Sequence, residues 1–362
     1  MTGLTRTFNS IQKYLFPILE EEIGELTEKQ CQFVKIVELI EPQRFMLKFC
    51  WCGFGRPSND RTSILKAFIA KAVYNFPTTK VLIDQIQSSP VLRRLCGWEI
   101  RSEIPSESTF SRGFKEFSDS NLAEEIHQAI VKENLGKKLV GHISRDSTSI
   151  VGREKAEPKN ELIKKVKHKR GRPKKGEKRE KKERRLELQP NQSLEENLSG
   201  LPTGCNYGTK KNSKGKKVTW CGFKFHIDCA DGEIPVSATL TSASVHDSQV
   251  AIPQAQKTAV CVTSLYDLMD AAYDAPEIRE FSKQLGHVPI IDYNKRNGIK
   301  PEFTPSEKIR YRERSTAERV NADLKDNFGG RTVRVKGNKK VFTHLMFGII
   351  AITVKQLFNM LC

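Results

Sequence analysis

A succession of strand-like and helix-like segments from residue 139 onwards constrains the fold of this chain most strongly. Apolar residues alternate or run together in Leu139–Ile150, Val218–Cys229, Ile234–Ser242, Thr263–Met269 and Val288–Tyr293. The second and third of these runs are separated by a short turn at Asp231-Gly232, which is typical of a hairpin. The later runs alternate with helical stretches. Two paired strands followed by alternating strands and helices predict an α/β layer built on a mixed sheet.

Residues 1–136 are predicted to form a helical region. Between Thr62 and Phe76 the apolar residues recur every three or four positions, and the pattern stops at Pro77. Capping residues predict further helices over Lys80–Gln87, capped by Thr78 or Thr79, from Ser106 or Ser108 to Phe117, and from Ser120 to Leu135. Short helices joined by tight turns are compatible with a helix-turn-helix DNA-binding module and equally with a plain helical bundle.

Positive charge is concentrated in one part of the chain. The net charge is +18, and residues 164–185 carry fourteen Lys or Arg against three Glu. Five more lysines lie between Lys210 and Lys217. A basic balance this local points to a polyanion as partner, most simply nucleic acid held through counterion release.

The charged stretch belongs to a predicted insertion over residues 152–217, which has few large apolar residues with which to bury a core of its own. Within it, Gly171-Arg172-Pro173 lies between cations in the manner of an AT-hook, whose arginines enter a narrow minor groove. The residues predicted to bind DNA here are Arg170, Arg172, Lys174 and Lys175. The alternatives are a cationic arm that binds the phosphate backbone without reading sequence, and a merely solvated run of charge.

Cysteine usage and hydropathy predict a cytoplasmic protein with no membrane span. The nine cysteines include no CxxC pair, and their odd number without a secretory leader fits a reducing compartment. The most apolar stretch, Val341 to Leu361, is interrupted by polar residues that include His344 and Lys355. It is predicted to be a buried C-terminal helix.

Four polar residues near the C-terminus form the strongest functional pattern. On an α-helix turning by about 100° per residue, Tyr311, Arg314, Glu318 and Lys325 fall on one stripe about 60° wide. A carboxylate flanked by two cations and a phenol suits an acidic metal ligand beside phosphate-binding charges. The alternative is a solvated helix face on which Arg314 and Glu318 form an ordinary i,i+4 pair.

The spacing Tyr-x2-Arg-x3-Glu-x6-Lys in this run resembles the signature around the last acidic residue of the DDE transposases of bacterial insertion sequences. The resemblance extends from about Arg56 to Leu361 and includes the stretch from Ile104 to Arg112. It implies an RNase H-like fold, with a mixed sheet flanked by helices, over residues 137–362. The helical region 1–136 would bind DNA, and the basic insertion would interrupt the catalytic domain.

The resemblance also implies a catalytic triad. Asp146, near the end of the first strand, is followed by Ser147 and Thr148 as in the family's first motif, although the same residues suit a turn. Asp270 follows an apolar run and precedes Ala271-Ala272-Tyr273-Asp274, with Ala-Ala where the family often has Gly. The third acid is Glu318.

Asp267 and Asp274 are nearby rivals of Asp270. Asp267 would point away from it on an alternating strand, and Asp274 could cap the next helix.

Together the three acids would hold two Mg2+ ions, with Mn2+ able to substitute. Arg314 and Lys325 would face phosphates, with Tyr311 stacking or hydrogen bonding nearby. His246 matches a further family position and would contact DNA or support Asp270, the alternative being a polar residue at a helix N-terminus.

The resemblance thus implies a two-metal polynucleotidyl transferase that cuts and rejoins DNA at insertion-sequence ends. Its partners would be double-stranded DNA, as terminal inverted repeats and target, and further copies of itself in a homo-oligomer. It would act in the bacterial cytoplasm at the nucleoid. Two alternatives stay open: a nuclease of the same fold without strand transfer, and a non-catalytic DNA-binding protein.

Overall fold

The computed structural model describes residues 3–51, 53, 59–158, 183–211, 214–294 and 301–361. The predicted DNA-binding residues Arg170, Arg172, Lys174 and Lys175 lie outside these ranges. The described part is an α/β fold with a helical N-terminal region, as predicted.

The N-terminal region consists of helices of modest length. They are α1 (Gly3–Ser10), α2 (Phe16–Ile23), α3 (Glu28–Ile40), α4 (Arg61–Val73), α5 (Thr79–Ser88), α6 (Pro90–Cys96), α7 (Glu107–Asp119) and α8 (Leu122–Leu135), with a π-helical turn, Ile11–Leu15, joining α1 to α2. The predicted cap of α5 is confirmed, because the Thr78 hydroxyl accepts a hydrogen bond from the Val81 amide. Asn121, in a left-handed conformation, precedes α8 in place of the predicted Ser120.

The sheet is mixed and contains six strands. They are β1 (Leu139–Val151), β2 (Asn206–Lys211), β3 (Lys217–Ala230), β4 (Ile234–Ser242), β5 (Thr263–Met269) and β6 (Val288–Ile291). Their order is β2-β3-β1-β5-β6, with β4 also paired to β3. Strand β1 is antiparallel to β3 and parallel to β5, so the antiparallel and parallel halves meet at β1. This is the predicted RNase H-like arrangement.

Helices cover both faces of the sheet. They are α9 (Arg185–Leu188), α10 (Leu194–Ser199), α11 (Ser248–Ala259), α12 (Pro276–Gln284), α13 (Pro305–Tyr311), α14 (Ser315–Asn327) and α15 (Asn338–Asn359). Ser144 of β1 bonds to the Ala317 amide of α14, whereas Ser147 bonds to Asp247 at the start of α11. Because successive strand residues point to opposite faces, α14 and α11 lie on opposite sides of β1.

Part of the predicted insertion is folded onto this domain. Residues 183–211 form α9, α10 and β2, and they attach to α11 mainly through buried amide side chains. Gln189 donates to the Gln249 carbonyl at 2.7 Å, and Asn197 donates to the Gln256 side chain at 3.0 Å. Apolar contacts also hold this segment, because Leu198 and Leu201 pack with Val245 and Val250. Residues 183–211 are thus ordered on the domain, although they do not form a core of their own.

Helix α15 is the buried C-terminal helix that hydropathy predicted. By length and composition it could cross a membrane, but 83% of its most apolar window is buried inside this structure. It packs against α3, α4, α7 and α8 on one side and against β4 and α14 on the other. A side-chain carbon added at Gly348 would lie 2.6 Å from the Phe328 carbonyl, so glycine permits the close approach of α14. The N-terminal helices and the sheet thereby share one hydrophobic core.

Three fully buried histidines predict that the fold is sensitive to acid. Burial lowers the pKa of His127 and of His226 to about 4, and that of His344 to about 3. The unfolded chain binds these protons at a pKa of about 6.5. The contribution of the buried neutral histidines to the free energy of unfolding is therefore fully present above that pH and is lost as the pH falls towards about 4. We expect each histidine to remove about 2 kcal/mol from the free energy of unfolding at pH 5.

Urea unfolding at pH 7 and at pH 5 measures this loss. The variant His344→Gln retains a hydrogen-bond donor for the Gly329 carbonyl but does not titrate, so its loss between the two pH values should be smaller. An equal loss of unfolding free energy in the variant and in the natural protein would contradict the contribution of His344 to the acid sensitivity.

Candidate active site

Asp146 lies in the middle of β1 and not near its end as predicted, because the polar residues after it continue the strand to Val151. Its carboxylate accepts a hydrogen bond from Asn321 of α14 at 3.1 Å. Burial, together with the charges of Asp270 and Glu318, raises the pKa of Asp146 to about 6, although the hydrogen bonds from the Ser147 backbone and the Asn321 side chain oppose the shift. All three predicted acids therefore act on one another electrostatically.

Asp270 follows directly after β5 and lies level with Asp146 on the neighbouring strand. In the parallel register Ser144 is paired with Leu268, and each acid is two residues further on. The Asp270 carboxylate accepts from the Ala272 amide at 2.9 Å and caps a 3-10 turn. Burial raises its pKa, although this hydrogen bond opposes the shift.

The two rivals of Asp270 have other partners. Asp267 is buried and forms a hydrogen bond with His287 at 3.2 Å. Asp274 forms an ion pair with Arg279 at 3.0 Å, and the residue in the N-cap position of α12 is Ala275. These contacts tie both aspartates to structural roles, which favours Asp270 as the predicted second acid.

The predicted stripe around Glu318 is not carried by one continuous α-helix. Helix α13 ends at Tyr311, a 3-10 turn spans Arg312–Arg314, and α14 begins at Ser315. The Ser144 hydroxyl donates to the Arg314 carbonyl at 2.6 Å and so fixes this turn against β1. A 3-10 turn winds more tightly than an α-helix, so the 100° spacing fails here.

The side chains of the stripe nevertheless remain together. Arg314 forms an ion pair with Glu318 at 2.7 Å, and its guanidinium lies 5.6 Å from the centre of the Tyr311 ring. Lys325 is half-buried further along α14. Burial lowers the pKa of Lys325, as do the positive charges of Lys210 and Arg331, while Asp146 opposes the shift.

Asp247, which was not among the site residues predicted from the sequence, lies at the start of α11 on the opposite side of β1 from the Asp146 carboxylate, and its charge reaches Asp270. It accepts hydrogen bonds from Ser147 at 2.9 Å and from Lys224 at 3.0 Å. Burial alone would raise its pKa, but His226, Lys224 and these hydrogen bonds lower it overall. Its charge contributes to the raised pKa of Asp270. The alternation of β1 could have indicated it, since Ser147 must face the helix opposite to α14.

The neighbouring His246 is exposed, and its described hydrogen bonds go to Ser248 at the start of α11. Its support of Asp270 or of DNA stays a prediction.

Carboxylate oxygens are the ligands that magnesium prefers. Burial is the main cause of the raised pKa of Asp146, and a cation would relieve the smaller part that comes from the charges of Asp270 and Glu318. Within the described ranges, however, no group of three or more His, Cys, Asp or Glu side chains is arranged to hold a metal ion. Asp146, Asp270 and Glu318 each bind a protein group instead. The donor chemistry of the three carboxylates fits a divalent cation, although these side chains are directed at protein groups and not at one common point.

Comparisons with known families cover most of the chain. The family described as "Transposase DDE domain" matches residues 142–354, which is more than half of the 362 residues and includes Asp146, Asp270, Glu318 and Asp247. A second family, described as "Transposase domain (DUF772)", matches residues 21–116. No curated protein and no solved structure gives a match.

Proposed function

The chain belongs to the DDE transposases of insertion sequences, and we propose that it cleaves DNA at the ends of its element and joins the cut strand to a target. One observation carries this proposal. Asp146 and Asp270 occupy equivalent positions on adjacent strands, and Glu318 lies within electrostatic reach of both. Two-metal strand cleavage requires acids gathered in this way.

In this proposal Asp146, Asp270 and Glu318 hold two Mg2+ ions, for which Mn2+ can substitute. When bound, the ions supply positive charge that activates the attacking oxygen and stabilises the leaving oxygen. Glu318 forms an ion pair with Arg314, so it would have to give up this partner in order to act as a metal ligand.

The other residues of the site orient the acids and the DNA. Asn321 holds the Asp146 carboxylate, while Arg314 and Lys325 provide cations for phosphates near the cut. Tyr311 stacks or hydrogen bonds nearby. The attacking oxygen comes first from water, for 3′-end cleavage, and then from the freed 3′-hydroxyl, for strand transfer.

The partners are double-stranded DNA and further copies of the chain. We assign the terminal inverted repeats to the helical N-terminal region, which matches the second transposase family over residues 21–116. Arg170, Arg172, Lys174 and Lys175 would add phosphate or minor-groove contacts. Because two element ends must be held together, the active form is a homo-oligomer, acting in the bacterial cytoplasm at the nucleoid.

A strand-transfer assay tests the function. A duplex that carries the element's terminal repeat and a pre-cut 3′-hydroxyl is mixed with supercoiled plasmid and Mg2+. We expect joined products, and none in EDTA. Cleavage without joining would favour the nuclease, and DNA binding without either reaction would favour the non-catalytic protein. The repeat itself is read from the DNA that flanks the gene.

A further inference from the structure

Positive charge collects beside Asp146 from two segments that lie far apart in the chain. Residues 206–220, which include β2 and the start of β3, contain five lysines and no acidic residue. Residues 328–340, which connect α14 to α15 and include the first turn of α15, contain five Lys or Arg and no acidic residue. Composition singled out the lysines of the first segment but not the cations of the second.

Both segments are attached to the far end of the strand that carries Asp146. Lys210 donates to the Ser149 hydroxyl at 3.4 Å, three residues beyond Asp146. Just after β1, Arg153 donates to the Arg334 carbonyl at 3.0 Å. The next residue, Glu154, accepts from the Gly337 amide at 3.1 Å. The tertiary structure thus gathers both basic segments around one edge of the candidate site.

Lys325 lies within electrostatic reach of both segments, since the charges of Lys210 from one and Arg331 from the other lower its pKa. The side chains of Lys210, Arg331, Arg334 and Lys336 are exposed. Among nearby acids, Asp326 pairs with Arg331, and Glu154 binds a backbone amide. Clustered like charges repel one another and destabilise the fold, unless a polyanion covers them.

We propose that Lys210, Lys325, Arg331, Arg334 and Lys336 form one phosphate-binding surface that holds a DNA duplex beside Asp146. The inference rests on the proposed function and adds the face along which the DNA runs. Its ligand is the sugar-phosphate backbone, because ammonium and guanidinium groups without a groove-entering element bind phosphates independently of sequence.

Two triple variants with the same loss of charge test the surface. The first is Lys210→Ala with Arg334→Ala and Lys336→Ala, which leaves the family signature untouched. The control is Lys137→Ala with Lys138→Ala and Lys283→Ala, three exposed cations at the opposite end of the parallel strands. Strand β1 alone spans 13 residues, or about 40 Å, between the two locations.

The measurement is binding of a fluorescein-labelled duplex of arbitrary sequence in EDTA, over a series of salt concentrations. Each lost phosphate contact lowers the slope of log affinity against log salt by about 0.9, so the first triple variant should lose about 2.7. The control should keep the slope of the natural protein. Equal slopes in all three proteins, or an equal loss of slope in both variants, would overturn the proposal of a phosphate-binding surface.

Binding in EDTA separates this inference from the proposed function, which is measured as Mg2+-dependent joining. If the natural protein does not join strands but only the first triple variant loses slope, the phosphate-binding surface is supported and the proposed function is overturned. If the natural protein joins strands but the first triple variant keeps the slope, the surface alone is overturned. Urea unfolding of both variants confirms that the comparison is made between folded proteins.

Discussion

The variant Asp146→Asn is expected to lose Mg2+-dependent DNA cleavage by about a thousandfold or more. Metal ions contribute several kcal/mol of charge stabilisation in the transition state, and about 4 kcal/mol corresponds to that factor. Asparagine has nearly the same size and keeps an oxygen that can accept from Asn321. The change therefore removes the negative charge and leaves the packing of β1 against α14 in place.

Asp270→Asn and Glu318→Gln should have the same effect, while the binding of duplex DNA should be unchanged in all three variants. Asp274→Asn is the matched control, because Asp274 lies four residues from Asp270 but is paired with Arg279. It should cleave at close to the natural rate. Full activity in any one of the three variants would remove that residue from the proposed site.

Breaking the buried ion pair between Arg145 and Asp228 is expected to lower the free energy of unfolding more than the loss of any one buried histidine at pH 5. Arg145 follows Ser144 on β1 and binds Asp228 of β3 through two hydrogen bonds, of 2.8 and 2.6 Å. The two side chains are only 3% and 0% exposed. Arg145→Met would leave Asp228 as an unpaired buried charge, and we expect it to lower the free energy of unfolding by about 3–5 kcal/mol.

The double variant Arg145→Met with Asp228→Leu distinguishes the attraction within the ion pair from the cost of leaving one buried charge unpaired. Because desolvation offsets most of the attraction within a buried pair, the double variant should recover most of the stability lost in Arg145→Met. Urea unfolding of the three proteins provides the comparison. A double variant no more stable than the single one would show that the pair contributes through its other contacts, with Met269 and Thr258.

Arg145 also connects this stability to the candidate site. Its guanidinium reaches Met269, the residue directly before Asp270. The ion pair thus links the strand of the first acid to the end of the strand that leads to the second.

Local sequence patterns predicted most of the elements well. The strand Thr263–Met269 and the cap at Thr78 lie where the pattern placed them. Strand alternation and helix capping depend on residues within a few positions of one another, so such features can be read directly from the chain. The resemblance to the transposases, now supported by family membership, came from the equally local spacing around Glu318.

Other features depend on residues that are distant in sequence. The turn at Arg312–Arg314 is held by Ser144, 170 residues earlier, so no helical periodicity could have located it. Asp247 comes near the other acids because Ser147 and Lys224 bind it. Residues 183–211 fold through amide contacts with α11, which composition does not register.

The sequence by itself determined the class of fold, the order of its strands and helices, and the identity of the three acids as candidates. The tertiary structure alone decided which polar groups surround those acids and which cations lie beside them. The physical reason is the distance along the chain over which each kind of interaction acts. Hydrogen bonding within a helix turn or strand acts between near neighbours. The electrostatic environment of Asp146, by contrast, sums the charges of Asp270 and Glu318, which only folding brings close to it.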